Sequence, residues 1–117
     1  MNTQELVTEM LRLSRLLDKG VKALTKAAQD YAEAEDRFAA AKAKAYLAAE
    51  GPVEQRKAYV ADLTGSERLE ALKADGWRQA CLEAVRSRRQ QLSALQSVAA
   101  GHRTELELAK YGPQETP

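Results

Sequence analysis

From Asn2 to Ala49, apolar and small residues recur with a strict seven-residue period. One seat of the repeat holds Leu6, Leu13, Gly20, Ala27, Ala34, Ala41 and Ala48. A companion seat, four residues further on each time, holds Met10, Leu17, Leu24, Tyr31, Phe38 and Ala45. No charged residue falls on either seat. A seven-residue repeat held this long keeps one stripe of a helix turned toward a partner helix and implies a left-handed supercoil. The pattern predicts a helix over 3–49, roughly 70 Å long at 1.5 Å rise per residue. Asn2 followed by Glu5 has the spacing of a capping box, which satisfies the first orphan N–H groups. Gly51-Pro52 marks the stop, because proline cannot continue the hydrogen-bond ladder and disfavours helix at the residue before it.

The stripe changes along its length, from leucine-rich to alanine with Tyr31 and Phe38. Gly20 costs about 1 kcal/mol against alanine in a helix, but the repeat continues in phase through it. It reads as a close contact or a slight bend, not a break. Off the stripe the first fifty residues carry eight basic and eight acidic side chains. Asp18 with Lys22 and Glu33 with Arg37 stand at the spacing of helix-surface ion pairs.

Beyond the turn, a short helix is expected over 53–61. Thr64 with Glu67 repeats the capping-box spacing, and a second long helix is expected over 66–110, ended by Tyr111-Gly112-Pro113. Residues 113–117 read as a frayed tail. The second helix has the poorer repeat. Its later seats hold Leu92, Leu95, Ala99, His102, Leu106 and Ala109, but carried backwards the same register meets Arg88, Val85, Cys81 and Arg78. Leu69 and Leu72 belong to another phase, so a register slip is expected between Gly76 and Val85.

Two long helices joined by a short connector fold back antiparallel. In-line pairing puts Leu6 near Ala109, Leu13 near His102, Leu24 near Leu92, and Phe38 near Trp77. The expected seam is thus Leu6, Met10, Leu13, Leu17, Leu24, Tyr31, Phe38, Trp77, Leu92, Leu95 and Leu106. Two helices alone bury only a strip each, and such a pair commonly completes its core by self-association. The expected architecture is all-α: one domain over 1–117, a long, coiled-coil-like antiparallel hairpin with a short middle helix, dimerising into a four-helix bundle.

Composition adds mostly exclusions. The chain has 117 residues, a formal net charge of +1 and 5% aromatic residues, so no global field advertises nucleic acid or an anionic membrane. No apolar run reaches the roughly 18 residues of a membrane span, and the N-terminus lacks the pattern of a signal peptide. The single cysteine, Cys81, excludes an intramolecular disulfide and suits a reducing interior. The expectation is a cytoplasmic protein without membrane contact.

The clearest local bias is cationic. From Trp77 to Arg103 there are five arginines, Arg78, Arg86, Arg88, Arg89 and Arg103, against one acid, Glu83. Arginine suits bidentate phosphate contacts, so these residues are the candidates for a nucleic-acid or partner contact. A solvated face pairing with acids of the first helix or of a second subunit explains them more simply. No helix-turn-helix, zinc-ligand or aromatic-strand motif accompanies them. Trp77 beside Arg78 has the chemistry to stack a base, but packing is the simpler role for an isolated tryptophan. Cys81 and His102 are too far apart on one helix to act as a dyad. Glu33, Glu35 and Asp36 lack a histidine or acid at ligand spacing, and the glycines form no phosphate loop. Nothing points to a catalytic, cofactor or metal site, and the expectation is a protein that is not an enzyme.

The segment KAKAYLAAEGPVEQRKAYVADL (Lys42 to Leu63), followed by TGSERLEALKADGWRQA, resembles a group of small helical proteins of actinobacterial phages and prophages. Their alanine-rich helix likewise ends in an acid-glycine step before a short helix and a long arginine-bearing one. The resemblance covers most of the chain and implies an accessory role near phage replication and recombination, with no site residues to carry over. Two readings follow. One is an interaction protein working through self-association and a helix face toward a phage or host protein. The other is a nucleic-acid-binding accessory that lays the arginine face along phosphates.

Overall fold

The computed structural model describes residues 1–111; the expected stop at Gly112-Pro113 and the tail 113–117 lie outside the described residues. Three helices follow one another: α1 (Thr3–Ala48), α2 (Val53–Leu63) and α3 (Gly65–Tyr111). No strand occurs among the described residues. At the start of α1 the Glu5 N–H donates to Asn2 Oδ1 at 2.7 Å and the Asn2 N–H returns to Glu5 Oε2 at 3.3 Å. The capping box is closed in both directions, which offsets two of the orphan donors. The chain leaves α1 with an Ala49 N–H bond to Tyr46 O at 3.3 Å. Gly51 then takes φ 98°, a conformation that L side chains rarely adopt. Pro52 caps α2 with φ −61°, and the Arg56 N–H donates to its carbonyl at 3.0 Å.

The second boundary is not a capping box. Across Thr64 the helical ladder persists: the Thr64 N–H donates to Val60 O and the Arg68 N–H to Thr64 O, each at 3.0 Å. The Thr64 hydroxyl also donates to Val60 O, at 2.7 Å. It therefore back-bonds within the turn instead of accepting from the N–H of Glu67, and such back-bonding bends a helix without ending it. α2 is thus the first stretch of the return arm, not a separate connector, and the reversal is confined to 49–52.

The chain divides into two compact units, Met1–Val21 with the segment from Ala84 onward, and Lys22–Glu83. In the first, the start of α1 runs antiparallel to the end of α3: Gly20 lies by Val85, Leu13 by Leu95, and Leu6 by Ala99 and His102. Leu6, Leu13 and Val85 are buried. The expected pairs Leu6–Ala109 and Leu13–His102 are replaced by partners about a heptad earlier, because the arm turns back at 49–52 and not after a longer connector. The second unit holds the turn. Its buried residues are small: Ala27, Ala34, Ala45, Val60, Thr64, Ala71 and Cys81. Side chains of this size let helix backbones approach closely.

Two further corrections concern α3. An unbroken series of its covered positions, Ala71, Ala74, Arg78, Cys81, Val85, Arg88, Leu92, Leu95, Ala99 and His102, keeps alternating steps of three and four residues, with half-buried Asp75, Leu82 and Ala84 beside it. No register slip occurs. The seam instead accepts two arginines, whose aliphatic stems cover apolar surface while the charged heads reach its edge. Leu69 and Leu72 are correspondingly 50% and 55% exposed. Trp77 is 62% exposed and belongs to no seam, so its expected packing against half-buried Phe38 is not made. The Phe38 ring lies instead under the Lys42 ammonium, 4.8 Å from its centroid. Leu106 is also largely exposed, at 65%, whereas Met10, Leu17, Leu24, Tyr31, Leu92 and Leu95 are half-buried.

The glycines separate by surroundings. A Cβ on Gly20 would stand 3.3 Å from Val85 Cγ2, whereas one on Gly76 or Gly101 would meet nothing within 4 Å. Gly76→Ala and Gly101→Ala should each stabilise the fold by about 1 kcal/mol through helix propensity, read as a rise in thermal midpoint. Gly20→Ala should give no such rise, because a fully buried β-branched neighbour cannot yield.

Candidate interaction surface

The five arginines do not share one environment. Arg78 is held on its own helix, donating to Asp75 Oδ1 through Nη2 at 2.6 Å and Nε at 3.2 Å. Its guanidinium also lies 4.9 Å from the Tyr31 ring centroid of α1. A guanidinium neutralised by a carboxylate and stacked on a ring is poorly placed for phosphate. Arg78 is a packing residue. Arg88 is half-buried, with Nη1 3.8 Å from the position a Gly20 side chain would take. The Arg88 head thus lies beside Gly20, at ordinary contact distance even from an added Cβ, and Val85 is the close neighbour there. Arg86, Arg89 and Arg103 are exposed, so the cationic stripe shrinks from five residues to three.

Beside Arg103 lies a groove that the heptad pattern did not reveal. Between the start of α1 and the end of α3, Leu6, Val7, Met10, Ala99, His102 and Leu106 line a concavity of about 380 Å³. It borders a second one of about 280 Å³ whose lining includes Leu11, Ser14 and Leu92. Val7, Met10 and Gln96 line both. Val7 and Leu11 are 50% and 53% exposed. They stand one residue past the seats of Leu6 and Met10, and that off-seat placement was the legible signal. A helix that meets one neighbour needs a single stripe; apolar residues beside the stripe widen the face to that of a bundle helix.

The opposite flank of the same unit is different. On α3, Ala84, Ser87, Gln91, Ala94, Val98 and Gly101 follow one another at steps of three and four without a charge. Across from them Arg12 bonds to Glu9, its Nε 2.9 Å from Glu9 Oε2. That hydrogen bond, aided by the guanidinium charge, holds the Glu9 carboxyl below its ordinary range. The two charges cancel locally, and Leu13, Ala94 and Leu95 share a shallow depression with them.

The other candidates resolve plainly. Cys81 is buried in the second unit, while His102 is half-buried in the first and lines the groove. Glu33, Glu35 and Asp36 are exposed, and among the described residues no group of three His, Cys, Asp or Glu is placed to hold a metal ion. The surface pairs formed include Glu9–Arg12, Lys26–Asp30, Glu54–Lys57 and Asp75–Arg78. The expected Asp18–Lys22 and Glu33–Arg37 pairs are not among them, a small matter energetically for exposed charges. Among the described residues no helix is long and apolar enough to cross a membrane. Compared with known proteins, the chain matches no family model, no curated protein and no solved structure.

Proposed function

We propose that this chain is a non-enzymatic helical interaction protein that self-associates and presents a helix face to a partner. The observation that carries the reading is the open apolar groove of the first unit, flanked by half-exposed Val7 and Leu11. Burying such a face against another helix returns about 25 cal/mol per Å² of apolar surface. Self-association is assigned to the uncharged flank of α3, where small side chains allow close helix approach. Light scattering after size exclusion should give twice the 12.9 kDa of one chain. Val98→Glu with Ala94→Arg should return the mass to that of one chain with helicity unchanged, since both residues are exposed. A wild-type chain that stays single at micromolar concentration would count against self-association.

A second reading, nucleic-acid binding in an accessory role of the kind implied by the phage-protein resemblance, rests on the exposure of Arg86, Arg89 and Arg103. It predicts retention of single- or double-stranded DNA at low salt, lost steeply as salt rises because released counterions drive phosphate binding. Arg86→Ala with Arg89→Ala should then abolish the shift while leaving helicity intact. Unaltered binding would rule that face out.

A further inference from the structure

The groove of the first unit carries a charge pattern that narrows what fills it. No carboxylate lines either of its two segments, whereas Arg103 and His102 line the first. Gln96 lines both segments, and Arg89 and Arg103 each stand seven residues from it, on the same side of α3. Both are exposed. The facing flank of α1, Gln4, Val7, Leu11 and Ser14, is uncharged until Asp18. Between Leu11 and Arg103 the floor is apolar, one rim is cationic and the other is neutral, and Glu105 lines only the adjoining depression beyond Leu106.

We infer that this groove receives an amphipathic helix of another protein, one whose apolar stripe is bordered by aspartate or glutamate. The inference rests on the interaction reading proposed above and names the partner chemistry of the surface. Helix-in-groove recognition uses apolar anchors at steps of three and four residues. The anchors would enter beside Val7, Met10 and Leu11, and carboxylates on one border would meet Arg89 and Arg103. Complementary rim charges mainly set the encounter rate and the choice of partner. A second copy of the same unit fits less well. Over Thr3–Val21 its acids Glu5, Glu9 and Asp18 are matched by Arg12, Arg15 and Lys19, and its α3 segment is net basic. Groove against groove would set like charges side by side. Nucleic acid would use the arginines but leave Val7 and Leu11 without purpose.

The test uses the full chain and three fluorescent probes: a designed helical peptide with a leucine stripe bordered by glutamate, the same peptide with lysine for glutamate, and a short DNA duplex. The glutamate peptide should bind at least about tenfold more tightly than the lysine peptide, a difference of roughly 1.4 kcal/mol. Leu11→Glu should weaken it about tenfold, and Arg89→Glu with Arg103→Glu should reverse the preference. All three positions are exposed, so the variants should keep the helicity of the wild type. Equal binding of both peptides, or indifference to Leu11→Glu, overturns the inference. DNA binding that needs Arg89 and Arg103 but not Leu11, without peptide binding, overturns it in favour of a phosphate backbone. Solution mass on the same samples separates the two levels. If no peptide binds and Leu11→Glu dissociates a dimer, the groove belongs to a second copy and the interaction reading survives. If no peptide binds and every variant is a single chain, both fail.

Discussion

Leu6→Ala should lower the free energy of unfolding by about 3 kcal/mol, as large-to-small changes at fully buried seats do. Trp77→Ala, which removes a far larger side chain, should change it by less than about 0.5 kcal/mol. The contrast follows from burial: Leu6 is 1% exposed and Trp77 62%. Leu6 packs where the start of α1 meets the end of α3, so alanine there leaves a void and forfeits apolar burial. The indole of Trp77 stands mostly in water and has little to lose. Urea denaturation of both variants reads the difference directly, with the slope checked to confirm that both unfold to a comparable state. A Trp77→Ala loss equal to that of Leu6→Ala would mean that Trp77 is packed and the assigned register of α3 is wrong.

The second large effect is expected at the turn. Gly51→Val should destabilise the fold by about 2 kcal/mol, because a β-branched residue is a poor occupant of positive φ. Gly51 takes φ 98°, and a Cβ there would stand 2.9 Å from Gln55 Oε1. The two causes are separable. Gln55 is an exposed, flexible side chain that can move, so Gln55→Ala should restore little to Gly51→Val. Gly51→Asn should cost less, since asparagine tolerates the left-handed region better. Thermal melts of the three variants decide between backbone and contact. Full rescue by Gln55→Ala would show that the clash, not the φ angle, sets the cost.

Several parts of this fold were legible because they depend on local chemistry. The Asn2–Glu5 cap needs only two side chains three residues apart. The end of α1 needs only a glycine able to turn and a proline unable to continue. The seats of α1 followed from spacing, since a charge-free stripe over so many heptads has no other helical use. What was misread depended on partners. Thr64–Glu67 has the spacing of a cap, yet the Thr64 hydroxyl has a competing acceptor one turn back, in Val60 O. With α2 part of the return arm, the pairings of Leu6 and Leu13 moved by about a heptad. The slip in α3 was inferred because the seam, carried backwards, met arginines while Leu69 and Leu72 fell on another phase. Arg88 sits there half-buried with its head beside Gly20, and Arg78 fits because Tyr31 offers a ring and Asp75 a carboxylate.

The candidate surface divides the same way. The excess of arginine was visible in the composition of α3, but which arginines face solvent depends on register, and register depends on where the chain turns back. Val7 and Leu11 were visible as apolar residues beside the seats, yet two adjoining stripes on a helix become a groove only when a second helix stands at the right height. Sequence alone therefore determined the helices, the Asn2–Glu5 cap and the charge-free stripe of α1, all set by contacts within a few residues. The tertiary structure alone decided the register, the withdrawal of Arg78 and Arg88, the exposure of Trp77 and the groove beside Arg103. Each of those depends on which residues of α1 and α3, distant in the chain, stand opposite one another, and a shift of a single turn would have exchanged one set for another.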